Sequence, residues 1–324
     1  MLFELFGVSA LAGALVWLVL LVGQLAKVGD LLGAEAPGPL WARVLGLGGL
    51  ILAEPALPLL GLIGAGLTYG RLRAEGGLIA AAALGWHPLR LLAPAAALGL
   101  VCAALALPLS TTIGPRAVGA LGSALSEAIN ARFTRPGAAV TLSGGGVVRT
   151  IVGADGAATW AAWPVGSGAP ALLRARGLRL SPGRDALELH DVQLWLADSR
   201  LRAGTLRLQL DDAGVSRRFA MFGPPNSLPS ADLATDDVHH RFTWHRRWAL
   251  PLMAPLWALL GALLGARRGG VAAVVLSAGV VGLAYWLLRV GELAARAGFG
   301  SPAVAAWAPA ALLALGVFWL LRRA

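Results

Sequence analysis

The chain has 324 residues, of which 57% are hydrophobic and only 14% are charged. A soluble domain carries about 25% charged residues, so this chain has too little polar surface to be covered by water, and part of its surroundings must be lipid. The formal net charge of +10 suits an anionic partner, but it also fits the arginine bias of a GC-rich genome. The basic residues form no run interleaved with aromatic side chains, so the sequence does not favour nucleic-acid binding.

Six long apolar runs follow one another along the sequence: Gly7–Ala26, Val44–Gly70, Leu91–Pro115, Trp248–Ala266, Gly269–Leu288 and Ala297–Leu321. Each holds roughly 19 residues or more, which is enough for a helix to cross the hydrocarbon core of a bilayer. Because the runs are continuously apolar, they do not fit the alternating pattern of a membrane β-barrel. The sequence therefore predicts six transmembrane helices. The first is expected to be retained, since no basic segment precedes it as in a signal peptide.

The short loops between these runs carry unequal numbers of basic residues. Short loops rich in Arg and Lys lie in the cytoplasm under the positive-inside rule. The loops after the second and fourth runs and the C-terminal tail hold Arg71, Arg73, Arg90, Arg267, Arg268, Arg322 and Arg323, whereas the other side holds Lys27, Arg43, Arg289 and Arg296. We therefore expect both termini to lie in the cytoplasm, although the asymmetry is modest.

The stretch from Arg116 to Arg247 differs in character from the rest. Gly, Asp and Ser are frequent, helical periodicity is absent, and alternating apolar runs are separated by turn signals such as Asp155-Gly156. These runs predict strands over Val147–Val152, Ala158–Trp163, Leu172–Leu180, Leu187–Leu196 and Thr205–Leu210. Such short strands are typical of a sandwich, a jelly roll or an open β-layer. We expect helices in 1–115 and 248–324, and between them, over 116–247, an all-β domain on the far side of the membrane.

A short segment lies between the second and third apolar runs. Leu78 to Leu84 is expected to be helical, and Gly85 to Pro88 break that helix. A short amphiphilic helix on the cytoplasmic face is the usual contact element between a membrane subunit and a motor protein. The alternative is an ordinary loop helix that lies on the lipid surface.

Motifs of catalysis and metal binding do not occur. The sequence has no GxxxxGK[ST], HExxH, GxSxG or CxxC motif, and each of these spacings is needed for its chemistry. His239, His240 and His245 cluster without acidic or cysteine partners at ligand spacing, so a solvated segment beside the membrane is favoured over a metal site. Cys102 is the only cysteine, which excludes an internal disulfide. We expect no cofactor, no metal and no catalytic centre.

Two charged residues next to apolar runs are candidates for function. Glu54 interrupts the second run and is followed by Pro55 and Pro58. A charge inside lipid is costly and often functional, but Glu54 could also lie at headgroup depth. Lys27 closes the first run, where it could be a snorkelling anchor or a point charge for an anionic headgroup such as a lipid phosphate.

Four groups of residues resemble the lipopolysaccharide-export permeases LptF and LptG, and they occur in that family's order and spacing. They are Leu57-Pro58-Leu59 with Tyr69-Gly70-Arg71-Leu72 in the second helix, Leu84 to Leu92 in the coupling segment, His245 to Leu252 at the start of the fourth helix, and Gly269-Gly270, Tyr285, Gly298, Pro302 and Trp307-Ala308-Pro309 in the last two helices. The resemblance covers both membrane halves, whereas the β domain matches only in position and character.

The resemblance implies six transmembrane helices, a periplasmic β-jelly-roll domain and the role of a permease subunit in an ABC transporter of the inner membrane. The implied partners are a cytoplasmic ABC ATPase dimer, a second LptF/LptG-like permease, periplasmic β proteins similar to LptC and LptA, and lipopolysaccharide, which would enter between the first and fifth helices. It implies that Lys27 contacts lipid phosphates, and we expect Arg289 to be a second phosphate-binding residue. The residues implied to couple to the ATPase are Glu75, Leu84, Gly85, Trp86 and Arg90.

The sequence departs from the family at one coupling position. The family usually has a glutamate eight residues before the coupling-helix glycine, where this chain has Gly77, and the only nearby acid is Glu75. Either Glu75 substitutes for it, or coupling depends on packing of Ala81 to Trp86. Two rival functions remain: a permease of the same architecture for another glycolipid, and a membrane-anchored periplasmic scaffold or sensor that transports nothing. An intramembrane enzyme is the weakest alternative, since no catalytic constellation occurs.

Overall fold

A computed structural model describes most of the chain, namely residues 2–32, 37–134, 139–141, 147–153, 156–163, 171–180, 186–196, 199–209, 225–233 and 237–322. The chain divides into two compact units. The first consists of Met1–Leu25, Gly46–Ala117 and Ser227–Ala324, and the second of Ala26–Leu45 and Val118–Asn226.

The helices of the described residues are α1 Leu2–Leu32, α2 Gly38–Ala74, α3 Gly77–Ala83, α4 Pro88–Pro108, α5 Gly114–Thr134, α6 Val238–Leu252, α7 Ala254–Arg268, α8 Gly270–Arg296 and α9 Pro302–Arg322. A π-helical turn over Leu109–Ile113 joins α4 to α5, and a 3-10 turn covers Ser230–Leu233. Within the described part of the chain, five spans are long and apolar enough to cross a membrane, or up to six if α6 and α7 together form one broken span. The chain is a multi-pass membrane protein.

The fourth apolar run is interrupted, which the sequence analysis did not predict. The α6 and α7 axes differ by 43°, with Met253 between them. Pro251 and Pro255 lie on either side of this residue. Because proline has no N–H, neither of them can donate the helical hydrogen bond to the carbonyl four residues earlier, and the helix bends there.

Small residues bring the helices of the first unit close together. A side chain at Gly261 would collide with the carbonyl of Leu62, and one at Gly265 would collide with the carbonyl of Gly66. Between transmembrane helices the hydrophobic effect contributes little, and close backbone approach at small residues supplies van der Waals contact instead. Large side chains such as Tyr69 complete the core; its hydroxyl donates a hydrogen bond to the carbonyl of Leu91 at the start of α4.

The prediction that helical periodicity is absent after Arg116 is wrong for the first part of that stretch. Gly114–Thr134 is helical, and Ala117, Leu121, Ala124 and Leu125 are buried along it. Their spacing of four, seven and eight residues is that of one helix face. Pro115 lies just after the π turn within the continuous span Leu89–Leu125, and the carbonyl of Thr111, four residues earlier, accepts a hydrogen bond from Ser230 Oγ instead.

The strands of the second unit form one antiparallel sheet, in agreement with the predicted strands. They are β1 Ala139–Thr141, β2 Val147–Gly153, β3 Gly156–Trp163, β4 Ala171–Ala175, β5 Gly177–Leu180, β6 Ala186–Leu196 and β7 Ser199–Gln209. β4 and β5 pair with β6 in one continuous register, so they correspond to the single predicted strand Leu172–Leu180. Asp155 and Leu210 lie outside the described residues, and a jelly roll stays a prediction.

One residue of β6 departs from the extended conformation of a strand. Asp191 has a φ of 52°, and pairing with both neighbouring strands is interrupted there. Leu189 and Val192 are both buried although they are three residues apart. Strand side chains normally alternate between faces, so the spacing of three departs from this alternation, and the left-handed residue Asp191 lies within it.

Candidate functional site

The end of α3 is fixed by backbone hydrogen bonds. The N–H of Gly85 donates to the carbonyl of Ala82 at 2.9 Å, and that of Trp86 donates to the carbonyl of Ala81 at 3.0 Å. This is the Schellman arrangement, in which the residue after the helix adopts a left-handed conformation. Gly85 has a φ of 78°, which glycine adopts without steric cost. Gly85 therefore fixes the position of Trp86.

Four large apolar side chains are exposed on this segment. The exposed fractions are 76% for Ile79, 78% for Leu84, 54% for Trp86 and 59% for Leu89, and α3 buries no residue at all. We call these four residues the linker patch. An exposed apolar cluster of this kind marks a surface that contacts either a protein partner or the membrane. Of the predicted coupling residues, Leu84 and Trp86 belong to the patch, Gly85 lies between them, and Arg90 is exposed in the first turn of α4.

Glu75 lies outside the linker patch and is ion-paired. Arg71 Nε donates to Glu75 Oε1 at 2.6 Å, and Arg71 Nη1 lies 2.8 Å from Glu4 Oε1. Arg71 therefore connects the start of α1 to the end of α2. Glu75 is separated from α3 by Gly76, which has a φ of 74°. Its carboxylate holds Arg71 in place in this structure.

The predicted phosphate-binding residues lie on different helices. Lys27 is in α1, and its side chain lies outside the described part of the structure. Arg289 is in α8; its side chain is 64% exposed, and its Nη1 is 2.8 Å from Glu292 Oε2. The Arg289 guanidinium is thus held at the surface by a carboxylate and still faces the surroundings.

Glu292 is the centre of a charge cluster that the sequence analysis did not identify. Its side chain is only 9% exposed, and its Oε1 is 2.5 Å from Arg296 Nη2 and 3.6 Å from His239 Nδ1. The other oxygen pairs with Arg289. Buried carboxylates require such partners because desolvation of an unpaired charge is costly. The spacing of Arg289, Glu292 and Arg296 on one helix face could have indicated the cluster, but His239 is far away in the sequence.

The start of α6 is held beside this cluster. Asp237 Oδ1 accepts hydrogen bonds from the N–H groups of His239 at 2.7 Å and His240 at 3.0 Å. The hydrogen bond from the His240 N–H holds the pKa of the Asp237 carboxyl below its usual range. This is an N-cap, which satisfies N–H groups that have no partner within the helix.

Glu54 is held by the π-helical turn. Ser110 Oγ donates to Glu54 Oε1 at 2.7 Å, and the carbonyl of Thr111 in the same turn accepts a hydrogen bond from Ser230 Oγ at 3.0 Å. Arg247, which is 4% exposed, donates to the carbonyl of Leu228 at 2.6 Å. Single π turns often occur at functional sites because they displace side chains from the regular helical positions.

A cavity of about 240 Å³ adjoins Glu54. It lies between α2, the α6–α7 pair and α8, and its walls are mainly apolar. Its polar lining comes from Glu54, Arg246 and Tyr285. Among the described residues, no group of three or more His, Cys, Asp and Glu could hold a metal ion. The arrangement can bind an amphiphile.

The comparison with protein families identifies the chain. The family model described as lipopolysaccharide export system permease LptF/LptG matches residues 1–141 and 173–323, which is almost the whole sequence. No curated protein matches the chain. The matched ranges include α1 to α5 and α6 to α9, and thus both membrane halves that carry the sequence resemblance. The chain therefore belongs to the LptF/LptG family of lipopolysaccharide export permeases, which are membrane subunits for transport rather than enzymes.

Proposed function

We propose that the chain is a permease subunit of an ABC transporter that extracts lipopolysaccharide from the inner membrane and passes it to a periplasmic bridge. The observation that carries this proposal is the linker patch, which lies between two membrane-spanning helices of a chain in an export-permease family. A permease without a nucleotide site needs an external source of energy. An exposed apolar segment provides a surface to which a motor subunit can bind.

The linker patch is the surface to which the cytoplasmic ATPase dimer binds in this proposal. Its apolar side chains would fill a groove on the ATPase. The Schellman end at Gly85 would keep Leu84 and Trp86 in fixed positions relative to each other while the ATPase changes conformation. Arg90 adds a positive charge next to the patch. Glu75 keeps Arg71 in place and acts as a support in this scheme, so coupling depends on packing of the patch.

The lipid path is proposed to run between α1 and α8 of two permeases. Both helices present large apolar side chains outward, for example Leu11 and Leu15 on α1 and Leu283 on α8. A second LptF/LptG-like permease would cover one such face and leave a lateral opening for the acyl chains. Lys27 and Arg289 would contact the phosphates, since guanidinium and ammonium groups form charge-assisted hydrogen bonds with them.

The second unit is proposed to be the periplasmic jelly-roll domain that passes the lipid to LptC- and LptA-like β proteins. The buried side chains of Leu173, Leu189 and Val192 form an apolar face on its sheet. A domain of this type, whose strands lie between Ala139 and Gln209, with membrane-spanning helices before and after it and both termini in the cytoplasm, gives the orientation that the proposal needs.

The test is purification of the tagged protein in mild detergent, followed by mass spectrometry of the proteins and lipids that accompany it. We expect an ABC ATPase, a second permease and lipopolysaccharide. Trp86→Ala should lose the ATPase, whereas Trp319→Ala, which changes another exposed tryptophan, should retain it.

The other outcomes separate the rival functions. The ATPase together with a different glycolipid would keep the mechanism and change the substrate. A stable preparation with neither ATPase nor second permease would favour the scaffold or sensor, and Trp86→Ala would then have no effect.

A further inference from the structure

The cavity beside Glu54 has a polar end and an apolar end. Glu54, Arg246 and Tyr285 supply the polar part of its lining. Met253 and Trp257 line the cavity further along the chain. Met253 follows Arg246 by seven residues, or about 10 Å along a helix. Along α6 and α7 the lining therefore changes from polar at Arg246 to apolar at Met253 and Trp257.

The polar end holds one acidic and one basic side chain. Ser110 fixes one carboxylate oxygen of Glu54, and Arg246 lines the same cavity. Arg247, which also interacts electrostatically with Glu54, donates to Leu228 and Ser230 and is buried outside this lining. A ligand with only negative charge would be repelled by Glu54, and one with only positive charge would be repelled by Arg246. The complementary ligand carries both signs a few ångströms apart.

The apolar end is closed by well-packed side chains. The exposed fractions are 1% for Met253, 4% for Trp257 and 7% for Ala284. The volume of about 240 Å³ is smaller than that of sites that enclose a whole drug-sized ligand, about 300 Å³ or more. It is much larger than the about 30 Å³ of one water molecule. Part of one alkyl chain fits, and the remainder of the ligand must extend outward past Tyr285, which is 40% exposed.

We propose that this cavity binds a zwitterionic phospholipid of the bilayer, with its ammonium group at Glu54, its phosphate at Arg246 and part of one acyl chain between Met253, Trp257 and Ala284. Tyr285 can donate a hydrogen bond to the phosphate or to an ester carbonyl. The bound lipid fills the space between α2 and α8 next to the bend at Met253, and so stabilises a helix pair that otherwise meets across a cavity. The site shares α8 with the path proposed for the exported lipid, where Arg289 follows Tyr285 by about one helical turn, and it differs from that path in using Glu54 and Arg246.

The experiment is lipid retention by the full-length protein with its co-purifying partners. The sample is stripped of lipid in detergent and then incubated with phosphatidylethanolamine or phosphatidylglycerol at equal mole fraction. Bound lipid is counted by native mass spectrometry, and thermal unfolding is recorded in parallel. We expect preferential retention of phosphatidylethanolamine and a higher melting temperature with it, because a ligand that binds only the folded state stabilises it. The measurement does not require transport activity, so its result can still be interpreted if the proposed function is wrong.

Two variants with matched controls assign the lipid to the cavity. Glu54→Gln should weaken retention of phosphatidylethanolamine about tenfold, the effect of losing one charge-assisted hydrogen bond, whereas Glu127→Gln on α5 should not. Ala284→Phe fills the apolar end and should abolish the preference, whereas Leu283→Phe, on the exposed face of the same helix, should not. Equal retention of both lipids by the unaltered protein, or an unchanged preference in both Glu54→Gln and Ala284→Phe, would overturn the proposal. The proposal would also be overturned if lipopolysaccharide were recovered in place of phospholipid and if Ala284→Phe removed that lipopolysaccharide.

Discussion

Gly70 on α2 and Gly270 at the start of α8 approach so closely that a side chain on Gly70 would collide with the backbone of Gly270. Gly66, four residues before Gly70 on α2, lies opposite Gly265 in the same way. The two glycines of α2 therefore belong to one continuous backbone interface. Such interfaces hold membrane helices at short separation, and they leave no room for adjustment.

Gly70→Ala is expected to destabilise the protein, because the added methyl group must push two backbones apart. Overpacking costs about 1–3 kcal/mol, so the melting temperature in detergent should fall. The control is Gly48→Ala on the same helix, where a methyl group meets nothing within 4 Å; there the higher helix propensity of alanine should give no loss. Equal effects of the two substitutions would show that the α2–α8 contact contributes nothing.

Gly85→Val is expected to disrupt the end of α3, because a β-branched residue is strained by at least about 1–2 kcal/mol in a left-handed conformation. Binding of the ATPase and lipid-stimulated ATP hydrolysis should both fall. Asparagine tolerates this conformation, so Gly85→Asn should retain most of both activities. The measurement is co-purification of the ATPase and its turnover. If Gly85→Val couples normally, the geometry of Trp86 has no part in coupling.

Lys27→Glu is expected to weaken crosslinking to lipopolysaccharide about tenfold or more, since reversal of the charge replaces an attraction to phosphate by a repulsion. Lys27→Arg should retain binding because the positive charge is kept. Photo-crosslinking from a nearby position and stimulation of ATPase activity by lipopolysaccharide are two independent readouts. Unchanged values in both would remove Lys27 from the lipid site.

Glu292→Gln is expected to lower stability, because the substitution leaves Arg289, Arg296 and His239 without their shared carboxylate. Loss of hydrogen bonds to charged groups costs about 1.5–3 kcal/mol, and the partial exposure of both arginines places the effect at the lower end. Thermal unfolding measures it. The exposed pair Arg43–Glu127 provides the comparison, since Glu127→Gln should change stability by less than about 1 kcal/mol. A larger loss in Glu127→Gln would contradict this assignment.

Patterns with a short period predicted the fold well. Alternation at period two is visible in any short window, and the predicted strands match β2 to β6 to within one or two residues at their ends. β7 begins at Ser199, six residues before the predicted strand, and β1 was not predicted. The helix over Gly114–Thr134 was missed because glycines, serines and charges lie among its buried residues. The bend at Met253 could have been inferred from Pro251 and Pro255, and the glycine interface from the four-residue spacing of Gly66–Gly70 and Gly261–Gly265.

The clusters of charge could not be predicted in the same way. His239 and Glu292 are brought together only by the packing of α6 against α8, and the partners of Glu54 come from Ser110 on a π turn that no local pattern indicates. The Schellman end of α3 was accessible, since Gly85 followed by Trp86 after an alanine run is a local signal. Features that depend on a single helix can be predicted from the sequence, whereas clusters of side chains from several helices cannot.

The hydrogen bond from the Tyr69 hydroxyl to the carbonyl of Leu91 closes a loop around the whole linker. It joins the last turns of α2 to the first turn of α4, so the two ends of the segment that carries the linker patch are held together. If a motor subunit binds the linker patch as proposed, a displacement of Trp86 would therefore be passed to α2 and α4 together.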